Sequence, residues 1–258
     1  MLHHAGLLTR SEGDPVGMVN PDGAGDILIV CEHASRRLPA SVGNLGLTND
    51  VLKSHVAWDP GALAVAERLS AAFDAPLVYQ QFSRLVYDCN RPPESPGAMP
   101  ETSEIYEIPG NRNLSEQERD ARTEALYLPF HRRVEEVIEA RVAAGCGTVL
   151  VTMHSFTPVY FGKQREVEIG ILHDDDARFA DAMLSACDDL DSPYRVRRNE
   201  PYGPADGVTH TLNLHAKARG MLNVMIEVRN DLIADEAGQA RAAGYLEDLL
   251  KQALQKSS

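Results

Sequence analysis

The sequence predicts an α/β protein of three layers, with a central mixed, largely parallel β-sheet flanked by helices. Three observations carry this. Continuous apolar, β-branched runs at residues 27–31, 148–153 and 222–226 have the length of strands buried on both faces. Stretches of helical composition separate them, the alternation expected of α/β folds. Each run stops abruptly at polar residues, Glu32-His33-Ala34-Ser35, His154-Ser155 and Glu227-Val228-Arg229-Asn230-Asp231. The chain of 258 residues, 43% hydrophobic and 24% charged, suits one large globular domain. Residues 1–25 read as an irregular lead-in and 26–258 as a single domain, without internal repeats.

The lead-in is punctuated by Gly13, Pro15, Gly17, Pro21, Gly23 and Gly25. After the first strand, Asp59-Pro60-Gly61 opens a helix to about Ala72, with Asp59 as N-cap and a proline suited to the first helical position. Strands are expected at 77–81 and 85–87, the second ending in Asp88-Cys89-Asn90-Arg91-Pro92-Pro93. Residues 92–113 form a connection longer than routine, the length typical of functional or mobile loops. Ser115-Glu116-Gln117-Glu118 is a capping-box pattern that starts a helix reaching Ala144, kinked at Pro129 and stopped by Gly145. A strand at 167–172, a helix at 176–188 and a last helix at 236–255 complete the pattern.

Twenty-five basic against 38 acidic side chains leave a net charge of −13, which repels phosphate backbones and argues against nucleic-acid partners. No run approaches the roughly 18 apolar residues of a membrane helix. The first ten residues offer only Leu7-Leu8 as an apolar core, too short for a signal peptide, so a cytoplasmic location is expected. Cys31, Cys89, Cys146 and Cys187 form no C-x-x-C pair and are expected as reduced core thiols.

Ligands of open α/β sheets bind outside the carboxyl ends of the strands, where His33, His154 and Glu227 would converge. Two imidazoles with carboxylates suit a zinc ion that keeps one position open for water, although no H-E-x-x-H helix is present. Each residue also has a plainer reading. Either histidine alone is more often a hydrogen-bonded core residue, Asp59 a helix cap, Glu227 a partner of Arg229, and Arg84 or Arg91 a surface ion-pair partner. His210 reads equally as a substrate contact or a loop residue and stays outside the catalytic set. His3, His4, His131, His173 and His215 read as surface or local hydrogen-bonding residues, and Asp174-Asp175-Asp176 as a solvated turn and cap.

Glu32-His33-Ala34-Ser35, residues 55–62 (HVAWDPGA), 83–92 (SRLVYDCNRP) and 167–172 (VEIGIL) resemble the N-formylglutamate amidohydrolase family, over about residues 26–250. More remotely, the chain is similar to zinc carboxypeptidases. Asp88-Cys89-Asn90-Arg91 is similar to their carboxylate-binding Asn-Arg pair, residues 153–156 to the strand of their second zinc histidine, and 226–229 to that of their catalytic glutamate. In one place it departs: Arg36 stands where carboxypeptidases carry a glutamate ligand, so another carboxylate must serve, Asp59 by choice and Glu32 as the alternative.

The resemblance implies a zinc-carboxypeptidase-like (phosphorylase/hydrolase-like) domain that uses one Zn2+ to hydrolyse an N-acyl amino acid, first of all N-formyl-L-glutamate to formate and L-glutamate. The metal would be held by His33, Asp59 and His154, with Glu227 as acid–base group and Arg91, Asn90 and Arg84 on the substrate carboxylate. The alternatives are a zinc carboxypeptidase, another N-acyl amino acid deacylase, or a non-catalytic metal or amino-acid binder on the same scaffold.

Overall fold

The computed structural model describes residues 6–257; His3 and His4 lie outside the described residues. In chain order the strands are β1 (Val16–Val19), β2 (Ile27–Cys31), β3 (Leu77–Gln80), β4 (Thr102–Ser103), β5 (Tyr106–Glu107), β6 (Val149–Phe156), β7 (Val159–Tyr160), β8 (Lys163–Gln164), β9 (Ile169–Leu172), β10 (Val196–Arg198) and β11 (Asn223–Arg229). The α-helices are α1 (Asn49–Lys53), α2 (Ala62–Ala72), α3 (Glu116–Arg122), α4 (Leu128–Ala143), α5 (Arg178–Asp189) and α6 (Glu236–Ser257).

Seven strands form one sheet in the order β1-β3-β2-β6-β11-β9-β10. β3, β2, β6 and β11 are mutually parallel, β9 is antiparallel to β11, and β1 closes the far edge antiparallel to β3. Every residue of β2, β6 and β11 is buried, the polar residues of β6 and β11 together with the apolar ones. Alternate side chains serve opposite cores. Ile27, Ile29, Val151, Met153 and Ile226 pack with Val65 and Leu69 of α2, Met183 of α5 and Leu246 of α6. Leu28, Val30, Leu150 and Met225 pack on the other face with Phe130, Val134 and Ile138 of α4. The expected three layers are present.

Several local expectations are corrected. The glycine-punctuated lead-in contributes β1, an edge strand paired with β3. Residues 85–87 are not a strand. Their apolar side chains enter the α4-side core from a turn, in which Ser83 accepts from the Leu85 N–H at 3.2 Å and bonds Val86 N–H through its carbonyl at 2.9 Å. Between α3 and α4, Thr123–Tyr127 winds as a π-helical turn, and Pro129 lies in the first turn of α4 rather than at a kink inside one helix. Gly145 ends α4 at φ 71° with the paired Gly145 N–H to Val142 and Cys146 N–H to Arg141 bonds of a Schellman motif. The Ser115–Glu118 capping box forms as expected. Asp174, rather than merely ending a solvated turn, binds Thr209 and Asn213 of the following connection. All four cysteines are free, Cys31 and Cys89 buried.

His131 and His215 are not at the surface. Both are buried. His131 Nε2 donates to the Cys89 carbonyl at 2.8 Å, while its Nδ1 lies 2.9 Å from His215 Nε2, and His215 Nδ1 lies 3.2 Å from Glu135. Burial, then the neighbouring His215, lowers His131 to about 3; burial, then Arg219, lowers His215 to about 4. An unfolded imidazole takes up its proton near pH 6.5, before the folded one does, so these groups stabilise the fold less as pH falls from 6.5 toward 4. In chemical denaturation, wild-type stability relative to His131→Gln should fall by up to about 1.4 kcal/mol per pH unit across that window. A pH-independent difference would show that His131 titrates alike in both states.

Gly170 of β9 lets the segment after β10 cross the sheet. A Cβ there would sit 2.0 Å from the Glu200 carbonyl oxygen, a backbone atom with nowhere to retreat. Gly170→Ala should therefore cost about 1–3 kcal/mol, an overpacking penalty, measured as a lowered denaturation midpoint. An unchanged midpoint would mean that this crossing is not fixed.

Candidate active site

The site forms where the sheet changes winding direction. From β2 the chain continues through α2 to β3 on one side, while β6 lies on the other, and the carboxyl ends of β2, β6 and β11 lie side by side. Glu227 is in register with His154 on adjacent parallel strands, so both side chains leave the same sheet face. His33 follows β2 by two residues, and Asp59 lies in the approach to α2.

The helix cap is Gly61, at φ 81°, rather than Asp59. Asp59 gives only its backbone carbonyl to Ala62 N–H, at 3.2 Å, and turns its carboxylate inward, where it accepts from Ser155 N–H at 3.2 Å.

Three buried ligand atoms face one another: His33 Nδ1 and His154 Nδ1 are 3.2 Å apart, and Asp59 Oδ2 lies 3.3 Å from the first and 3.0 Å from the second. Ligands about 2.0–2.2 Å from a tetrahedral zinc are themselves roughly 3.3–3.6 Å apart, a little wider than this triangle. Behind it, His33 Nε2 lies 2.6 Å from Asp88 Oδ1 and His154 Nε2 3.1 Å from Glu32 Oε2. Ionised carboxylates only accept, so His33 Nε2 donates to Asp88, and that ring, when neutral, turns its Nδ1 lone pair toward Asp59; His154 Nε2 faces Glu32 without a hydrogen bond. Two lone pairs and a carboxylate oxygen in contact repel unless a cation or protons lie among them. Among the described residues, His33, Asp59 and His154 form the group able to hold a metal ion. Glu32 stands behind His154, on the side away from the triangle.

The electrostatics agree with this. Burial and Arg84 oppose the protonated His33, yet Asp88 and Asp59 raise it above the usual imidazole range. His154 is raised further, against burial, by Glu32 and Asp59. Asp59 and Asp88 stay well below the carboxylate range despite burial, with His33 the main counter-charge, and His154 holds Glu32 at about 2. Glu227 goes the other way. Burial pushes it up to about 7, and its Oε2 is buried without a hydrogen-bond partner.

A cavity of about 460 Å³ opens here and is lined by all seven residues singled out from sequence, His33, Asp59, Arg84, Asn90, Arg91, His154 and Glu227. Their availability differs. Arg84 is held by Asp59 at 3.4 Å and Asp88 at 2.8 Å. The Asn90 amide is engaged at both ends, donating to the Val208 carbonyl at 2.5 Å and accepting from Thr211 N–H at 3.1 Å, so it fixes the 208–211 segment. Arg91 bonds only main-chain carbonyls, those of Asn90, Gly207 and Asp206. His210 is outside the cavity lining; its Nε2 pairs with the Tyr127 hydroxyl at 2.9 Å. Sequence reasoning passed over Asp88, which lay within a quoted motif, and Arg165 and Tyr202, which lie in connections with no periodicity or motif to mark them.

The sequence profile described as FGase, N-formylglutamate amidohydrolase, matches residues 25–234. No curated protein matches the chain. A solved gene product of Agrobacterium tumefaciens is 63% identical, with TM-score 0.95 over 97% of this chain and 98% of that one. An N-formylglutamate amidohydrolase from Ralstonia eutropha JMP134 shares the fold at 21% identity, with TM-score 0.61 over 94% of this chain and 97% of its own. A metallo-carboxypeptidase from Burkholderia cenocepacia is more distant, at 13% identity and TM-score 0.37 over 93% of this chain and 66% of that one, too loose a match to bear on mechanism. With the profile spanning most of its length, the chain belongs to the N-formylglutamate amidohydrolase family.

Proposed function

We propose that the protein is a zinc-dependent amidohydrolase that cleaves an N-acyl amino acid, N-formyl-L-glutamate in the first place, to formate and L-glutamate. The observation that carries this reading is the triangle of His33 Nδ1, His154 Nδ1 and Asp59 Oδ2, with sides of 3.0–3.3 Å, beside the unpartnered Glu227 carboxylate in one cavity. Bound there, zinc supplies Lewis-acid polarisation of an amide carbonyl and makes water acidic enough to act as a nucleophile near neutral pH.

Glu227 does the proton work. Raised to about 7, it takes a proton from the attacking water and returns it to the departing nitrogen, as the water oxygen joins the formyl carbon and the C–N bond breaks. Asp88 accepts from His33 Nε2 and so holds that imidazole in the tautomer that presents Nδ1, while the Glu32 carboxylate lies beside His154 Nε2. Arg84, clamped by Asp59 and Asp88, offsets their charge. Arg91, free of any ion pair among the described residues, grips a substrate carboxylate, on a loop steadied by Asn90. Four free cysteines fit a reducing compartment, and the cytoplasm is the proposed location. No described helix is long and apolar enough to cross a membrane.

Formate release from N-formyl-L-glutamate should stop on chelation and return with added zinc, and the purified protein should carry one metal ion that His33→Ala and His154→Ala lose. Glu227→Gln should keep the metal while turnover falls by at least about 10²-fold. Release that survives chelation, or full activity in Glu227→Gln, would overturn the mechanism. A panel of N-acetyl amino acids and peptides distinguishes a deacylase or carboxypeptidase. Retained metal without hydrolysis of any of them would identify a binding protein.

A further inference from the structure

The basic side chains that line the cavity are not equivalent. Arg84 is neutralised by Asp59 and Asp88, and His55 faces Glu104 across 2.9 Å. Arg91 and Arg165 form no ion pair among the described residues, although the chain carries 38 acidic side chains. Such a cation in a partly enclosed cavity is a site for an anion.

Arg165 is also held in place. Its guanidinium carbon lies 4.4 Å from the Tyr160 ring centre, 4.7 Å from that of Tyr202 and 5.6 Å from that of Phe156, an aromatic cage that fixes the group without neutralising its charge. Both its side-chain hydrogen bonds leave from Nη1, to the Tyr202 hydroxyl at 3.0 Å and the Thr157 carbonyl at 3.4 Å. The Nε–Nη2 edge, whose two parallel N–H groups match a carboxylate, has no partner among the described residues. Tyr202 accepts from Arg165, which leaves its own O–H free to donate into the cavity it lines.

We propose that Arg165, with Tyr202, binds a second carboxylate of the substrate while Arg91 binds the first, so that the site selects N-acyl amino acids with two carboxylates over those with one. This rests on the amide-hydrolase reading for its reaction but not for its charge preference. Each half is therefore measured separately.

Kinetics with N-formyl-L-glutamate and its neutral isostere N-formyl-L-glutamine, and calorimetric binding of L-glutamate and L-glutamine to the zinc-loaded protein, read the two halves. Wild type should favour the glutamate member of each pair by about 10- to 100-fold, the range of a charge-assisted, forked hydrogen bond. Arg165→Met keeps the apolar stem in the aromatic cage and should abolish that preference, raising KM and Kd for the dicarboxylates alone. Arg165→Lys, which keeps charge but not the fork, should restore part of it. Equal treatment of glutamate and glutamine by wild type, or equal losses on both in Arg165→Met, would overturn the proposal. Discrimination in binding without formate release would instead overturn the deformylase reading and leave the second carboxylate site standing.

Discussion

Three acceptor atoms, two imidazole nitrogens and one carboxylate oxygen, are buried within 3.3 Å of one another, and the rest of the site depends on that constraint. Unpaired buried charge and opposed lone pairs are costly in a medium of low polarity. The surroundings treat the triangle as a place for positive charge. Asp88 fixes one imidazole from behind and Glu32 places its charge behind the other, Arg84 spans Asp59 and Asp88, and the main chain of Ser155 holds Asp59 in line. None of these groups would be needed to satisfy an ordinary helix cap or a pair of core histidines.

The sheet explains why such a cluster can be assembled from residues 121 positions apart. Parallel strands β2, β6 and β11 end together, so polar residues that follow three apolar runs arrive on one rim without long-range design of the loops. This part was legible in the sequence, because a continuous apolar run marks a strand buried on both faces and the polar residues next to it sit toward its carboxyl end; in β6 and β11 they still belong to the strand and are buried with it. His33, His154 and Glu227 were found in that way.

What was illegible has physical reasons. Asp59 precedes a proline and fits a helix cap by local chemistry; only the left-handed Gly61 cap shows that its carboxylate is free for another task. The apolar run at 85–87 is buried by a serine-stapled turn, and burial alone does not distinguish a turn from a strand. β1 hides among glycines, and β10 is a short edge strand with exposed arginines, so neither carries the alternation of a half-buried strand. In the sequence His131 and His215 read as surface or local hydrogen-bonding residues, because a histidine pair closed by Glu135 and a main-chain carbonyl comes together only in three dimensions. Asp88, Arg165 and Tyr202 likewise owe their places to connections, which carry no period. The remote likeness to carboxypeptidases pointed to residues 88–91 as a candidate carboxylate site, but not to which of their side chains the fold leaves unneutralised.

X-ray absorption at the zinc edge, on protein loaded with one equivalent of zinc, tests the metal centre most directly. Two imidazole nitrogens and carboxylate oxygen should appear at about 2.0–2.2 Å, with the imidazole signal reduced in His33→Ala and in His154→Ala. A sulfur shell near 2.3 Å, an imidazole signal indifferent to both substitutions, or protein that takes up no zinc would contradict it.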